Sequence, residues 1–300
     1  MFMDARLAAI ALGVALLTAC APVGTGGAGE SGSEPTSGSP AHAPSSIPSG
    51  ATGGVTAYVG QSSTDAAMGR MQVYVENGTG AEIDPDAVRY LDPRLGGPRP
   101  GDRLRAIPAG SARGYLVALP QRPACGGGRD VSGRVVLDVD GTRTSVQVVD
   151  PTGVVRRHVA LRCDAAATDR LATMRWLAPE VDGRGASATA FLVLALQPTG
   201  ESGRLRVDRV NGTPVLAPVG SDVWRPAVEV AGTGAPRELR LPVRPRRCDP
   251  HAFQESGGAT AMRMRLHVDG RPGEIVLRMD TSVAAAVIDH ALDVCGLGGP

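Results

Sequence analysis

"VVLDVDGTRTSVQV" (residues 135–148) reads as two short strands folded back on each other, with apolar residues alternating on both sides of Asp140-Gly141. Glycine takes positive φ without steric penalty, as a two-residue hairpin turn demands, so Asp-Gly between alternating apolar runs is a strong hairpin signal. The pattern returns at 264–277 as "MRLHVDGRPGEIVL", with Asp269-Gly270 at the apex. A hairpin met twice raises the question of an internal repeat.

Three further segments recur in the same order. "MQVYVENGTG" (71–80) corresponds to "FLVLALQPTG" (191–200), and "LPQRPAC" (119–125) to "LPVRPRRC" (241–248). "VALRC" (159–163) corresponds to "ALDVC" (291–295), the offset drifting from 120 to 132 along the copies as small loop insertions would produce. Each copy spans about 110 residues of short alternating segments punctuated by Gly, Pro and Asp-Gly, the pattern of an antiparallel β-sandwich. One segment departs from this: "VAAAVIDHALDV" (283–294) is Ala-rich and helically spaced, with Asp280 or Ser282 available to cap it. It predicts one short helix near the C-terminus, with a weaker equivalent near 151–160.

The chain begins differently. Residues 7–19 form an apolar run, too short for a bilayer core that needs about 20 residues and suited to a secretory signal. It ends Leu17-Thr18-Ala19-Cys20, which resembles a bacterial lipobox. That resemblance implies cleavage before Cys20 and a diacylglycerol on its sulfur. From there to residue 54 the chain is almost entirely Gly, Ser, Pro, Ala and Thr, a composition that cannot bury enough apolar surface to fold. Residues 24–29 match GxGxxG literally, but a dinucleotide site needs that motif between a strand and a helix, not inside a tether.

The expected organisation is therefore all-β. A lipoprotein signal peptide (1–19) precedes a lipidated Cys20 and disordered tether (20–54), then two tandem Ig-like antiparallel β-sandwich domains at 55–165 and 170–300. With Cys20 assigned to lipid, four of the five cysteines remain, two at equivalent positions of each copy. In the oxidising compartment reached by export, the repeat selects Cys125–Cys163 and Cys248–Cys295 as disulfides.

Composition excludes several function classes. The formal net charge is +1, so no global field favours nucleic acid, and at 3% aromatics no extended stacking platform can be built. All 31 basic residues are arginine, a usage that reflects GC-rich coding. No Cys-x-x-Cys or GxSxG occurs, so neither a zinc knuckle nor a hydrolase nucleophile elbow is expected. The densest polar group is "RRCDPHAFQE" (246–255), where Asp249, His251 and Glu255 follow Cys248. Those three are the candidate ligand-binding residues, although the matching "ACGGGRDVSG" of the first copy has neither the His nor the Glu. Asp138-Val139-Asp140-Gly141 hints at a calcium loop, yet the second copy keeps only the turn. Arg237, Arg240, Arg244, Arg246 and Arg247 form a rim of positive charge. Asn77-Gly78-Thr79 and Asn211-Gly212-Thr213 fit both a glycosylation sequon and a tight turn.

Lipobox, Gly/Ser tether, paired β copies, "RCDPHA" before the final strands and a terminal "CG" together resemble a group of envelope lipoproteins of high-GC Gram-positive bacteria. That group has no assigned activity, so the resemblance implies location and architecture. The function expected is that of a non-enzymatic binding or structural module, anchored to the membrane through Cys20 and contacting a cell-envelope protein or polymer. It uses no cofactor, no metal and no nucleic acid. The alternative is a ligand- or metal-binding receptor using the 246–255 loop, and behind it a hydrolase.

Overall fold

A computed structural model describes residues 53–126, 131–183, 189–254 and 258–298. The expected signal peptide, Cys20, the glycine pattern at 24–29 and Glu255 lie outside the described residues.

The first domain contains β1 (Val55–Gly60), α1 (Ser63–Ala67), β2 (Arg70–Asn77), β3 (Ala87–Leu91), β4 (Arg99–Asp102), β5 (Ala112–Ala118), β6 (Arg134–Val139) and β7 (Thr142–Val149). Its strands alternate strictly: Met71, Val73 and Val75 of β2 point into the core while Gln72, Tyr74 and Glu76 point out. One layer runs β4-β5-β2-β1 and the other β3-β6-β7. The two join at both sides, through β3–β4 pairing and a short parallel pairing of Ala57 with Val148 and Tyr58 with Val149. The hydrogen-bonded ladder is therefore closed on itself. Beside β3 sits a buried polar cluster, in which Arg94 donates to Asp92 at 2.9 and 2.7 Å and the Tyr90 hydroxyl donates to Asp92 at 3.1 Å.

α2 (Val154–Leu171) follows directly. Asp150 starts it, its two carboxylate oxygens accepting from the Val154 and Val155 amides at 2.7 and 3.0 Å. The helix expected over 151–160 thus continues well past that span, through the strong helix formers Ala160, Arg162 and 165–167 (Ala-Ala-Ala). Its sequence carries no single apolar stripe because its ends serve different cores. Val154 and Val155 belong to the first core and Leu171 to the second. The interval expected between domains, 165–170, lies inside α2, and the next strand begins at Ala172 with no loop.

The second domain comprises β8 (Ala172–Asp182), β9 (Thr189–Pro198), β10 (Arg204–Asn211), β11 (Leu216–Ala217), β12 (Val223–Trp224), β13 (Val228–Ala231), β14 (Arg237–Pro245), α3 (Pro250–Gln254), β15 (Ala261–Val268), β16 (Arg271–Arg278) and α4 (Thr281–Val294). One sheet is β11-β14-β9-β8, and the facing sheet carries β12 and β13 on β10, followed by β15 and β16. The order of pairing repeats that of the first domain, with β5-β2-β1 answered by β14-β9-β8 and β3-β6-β7 by β10-β15-β16. The hairpin apices match too: Asp140 and Gly141 have φ of 47° and 73°, Asp269 and Gly270 of 49° and 78°, the double positive φ of a type I′ turn. Trp176 and Trp224 are both buried here, their ring N–H groups donating to the backbone oxygens of Leu277 and Pro242.

Each domain carries its expected disulfide. Cys125–Cys163 ties the segment after β5 to the middle of α2, and Cys248–Cys295 ties the segment after β14 to the end of α4, with Cα separations of 5.5 and 5.2 Å. The short C-terminal helix is α4, whose Val287 and Ala291 enter the second core. The edge of β16 is engaged by α2: Asp164 accepts from the Glu274 amide at 2.8 Å, an approach that the missing Cβ of Gly273 permits.

Candidate functional site

Of the three candidates in the 246–255 group, Asp249 and His251 lie among the described residues and Glu255 does not. Asp249 caps α3, one oxygen accepting from the Ala252 amide and the other from Arg247 Nε, each at 2.9 Å. His251 lies exposed on the same short helix, and Cys248 is committed to its disulfide. No three His, Cys, Asp or Glu side chains among the described residues are grouped to hold a metal ion. The other sequence candidates resolve into structure. Asp138 sits between Arg89 and Arg143 as a cross-strand ion-pair bridge, which engages one of the two carboxylates of the calcium-like turn. Asn77 is 1% exposed and donates to the backbone oxygens of Ala81 and Ile107, so its sequon is a turn. The arginine rim divides: Arg240 meets Glu180, Asp182 and the face of Phe191, Arg246 meets Asp222 and Arg247 meets Asp249.

A site that the sequence did not announce lies on the outer face of β1-β2-β5. Strand register sets Tyr58 directly across from Tyr74 and Tyr74 across from Gly114. The two rings stack at 4.9 Å with an interplanar angle of 11°. Glycine on either side makes room for them: a Cβ on Gly60 or on Gly114 would stand 2.9 Å from the Tyr74 ring. Burial raises both phenol pKa values, with Glu76 adding for Tyr58 and Asp65 for Tyr74, so both hydroxyls stay protonated hydrogen-bond donors near neutral pH.

Next to this pair opens a cavity of about 270 Å³ whose lining includes four arginines. Arg70 and Gln72 come from β2, Arg113, Gly114 and Leu116 from β5, and Arg103 and Arg105 from the connection between β4 and β5. Asp65, 3% exposed in α1, organises the β2 wall by accepting from Arg70 Nε at 2.8 Å and Gln72 Nε2 at 3.1 Å. Burial alone would raise the Asp65 pKa, but hydrogen bonds from Arg70, Gln72 and Ser62 outweigh it and bring it down to about 2. The opposite wall is fixed from beneath. Tyr115, fully buried, donates its hydroxyl to the Arg105 backbone oxygen at 2.9 Å, and burial pushes that phenol up to about 12. Arg103 holds a left-handed backbone at φ 60°, its amide donating to Asp102 at 2.8 Å. Among the described residues, neither the Arg103 nor the Arg105 guanidinium has a carboxylate partner.

What such a site does chemically is donate. Guanidiniums remain charged at all accessible pH and present a planar fork of N–H groups to oxyanions. The signals that point to it in the sequence are weak and scattered: Arg103-Leu104-Arg105, Arg113-Gly114, and tyrosines at outward positions facing glycines.

No family model matches this chain, and no curated protein matches it. Among solved structures it is similar to the chaperone–tip adhesin complex CsuC–CsuE from the Csu pili of Acinetobacter baumannii, at 10% identity over 71% of this chain and 92% of that one, TM-score 0.20. It is also similar to red sea bream transglutaminase, at 13% identity over 76% of this chain and 31% of that one, TM-score 0.21. The B domain of a biofilm-associated protein matches at 6% identity over 74% and 85% of the two chains, TM-score 0.18. Similarity at this level carries neither an activity nor a partner to this chain.

Proposed function

We propose that this chain is a non-enzymatic, extracytoplasmic module of the cell envelope, of the lipoprotein kind its sequence resembles. Lipid on Cys20 holds it at the membrane, and the outer face of β1-β2-β5 binds another envelope component. The observation that carries this reading is the four-arginine cavity beside the stacked tyrosines, formed by β2, β5 and the connection between β4 and β5. Its groups supply positive charge and hydrogen-bond donors, the equipment of recognition. Two disulfides support export, since such bonds persist in oxidising compartments. The lipobox Leu17-Thr18-Ala19-Cys20 supports the anchor, because two acyl chains hold a protein stably where one does not.

The experiment has two parts, both in intact cells. Metabolic labelling with an alkyne fatty acid should mark the wild type, while Cys20→Ala should be unlabelled and absent from the membrane fraction. A photo-crosslinking amino acid at Leu116 should capture an envelope component that the same group at Val276, on the second domain, does not. Equal capture from both positions would reject the proposed face. Hydrolysis of peptidoglycan, ester or phosphate substrates by the purified chain, abolished by His251→Ala, would reject a non-enzymatic role.

A further inference from the structure

We infer that the arginine cavity on β2 and β5 is a binding site for a phosphorylated sugar. This rests on the proposed envelope contact and gives it a ligand class. Three features lead to it. First, the charge is only partly compensated: Asp65 pairs with Arg70 through Nε alone, Arg113 gives its Nε to the Ala106 backbone oxygen, and neither Arg103 nor Arg105 has a carboxylate partner among the described residues. Four arginines lining one cavity suit a tetrahedral phosphate, whose several oxygens outnumber those of one carboxylate. Second, the site is preorganised. Arg105 is pinned at its backbone by the Tyr115 hydroxyl, Arg70 by Asp65, and Arg103 is held at a positive φ that arginine seldom adopts. A non-glycine residue kept in that region by its surroundings points towards function.

Third, the surroundings of the charge suit a polyhydroxylated ligand. Gln72 gives its amide nitrogen to Asp65, and its carbonyl oxygen lies 2.5 Å from where a Gly114 Cβ would stand, in the cavity wall. That oxygen accepts hydrogen bonds from hydroxyls, a capacity no guanidinium has. Through Gly114 the cavity borders the Tyr74 ring, which stacks on Tyr58 and offers a sugar the apolar surface of that one braced ring. At about 270 Å³ the space admits one phosphate and one pyranose, and it has no long basic track of the kind a nucleic-acid backbone follows.

The test uses the full chain in detergent, with glucose 1-phosphate as the probe, glucose and inorganic phosphate as comparators, and titration calorimetry as the readout. Glucose 1-phosphate should bind, glucose should not, and inorganic phosphate should bind more weakly. Arg103→Ala with Arg105→Ala should weaken binding by about tenfold or more, and Arg113→Gln should do so independently, with far-UV spectra confirming that each variant folds. Arg237→Ala, on an exposed arginine of β14, should leave binding unchanged. The inference falls if glucose binds as well as its phosphate, if inorganic phosphate binds equally well, or if the variants retain full affinity. It also falls if no probe binds at millimolar concentration, or if the protein floats with phosphatidylglycerol vesicles without binding the sugar phosphate, which would make the site a membrane contact. Capture from Leu116 in cells combined with no sugar-phosphate binding would keep the envelope contact and remove only its ligand class.

Discussion

Asp65 shows how one carboxylate can serve stability and a site together. It is almost fully buried, and what keeps it charged is a set of donors that also line the cavity. With its pKa drawn down to about 2, it stabilises the fold above the pKa of a free carboxylate, about 4, and loses that contribution as pH falls from about 4 towards 2. Asp65→Asn should therefore cost roughly 2 kcal/mol at pH 7, with the gap to wild type closing below pH 3 in urea melts. Asp92 is as buried, but its partners are Arg94 and Tyr90, so it is satisfied within the core and offers nothing to solvent. The difference between the two was not legible in the sequence. Both read as an Asp near an Arg, and only burial and register reveal that Asp65 faces a cavity. The same holds for Asp249: its neighbours Cys248 and His251 suggested a ligand set, whereas the local backbone needed a helix cap.

At the scale of elements, the hairpins were the most legible features because their chemistry is local. Asp-Gly fixes the turn and alternation fixes the face, so both apices were readable from four residues. α2 was legible only at its start. Its apolar residues answer to two cores, which removes the periodicity by which helices are recognised. The arginine cavity was hidden for a related reason: its members come from β2, β5 and the β4–β5 connection, and each is one arginine among many. α2 also carries a titratable joint. His158 Nε2 lies 2.8 Å from the Pro120 backbone oxygen, and burial, with Arg162 nearby, lowers its pKa although the Pro120 contact opposes this. Below about pH 6.5 the unfolded chain takes up a proton that the folded chain resists, so stability falls as pH drops through that value. His158→Gln should flatten this slope, measured as the change in urea midpoint between pH 7.5 and 5.5.

For the whole molecule, α2 is a continuous rod with one end in each core. Ala166→Pro, at an exposed mid-helix position, should destabilise by about 3 kcal/mol or more and split one calorimetric transition into two. A single unchanged transition would show that the domains are coupled by other means. The pairing of cysteines was predictable because the two copies read alike; the closure of the first ladder was not, since it hinges on two residues of β1 adding a parallel pairing to β7. That closure bears on how a tandem duplication avoids tangling with itself. Two related domains in one chain meet at high effective concentration, and strand exchange between them is the characteristic misfolding route of repeats. A newly made second copy needs an open strand border on the first to invade, and the first has sealed its own. The reverse trespass, onto β16, meets Asp164 already holding the Glu274 amide. The connecting helix thus occupies part of the second copy's exposed border with a side chain that belongs to neither sandwich.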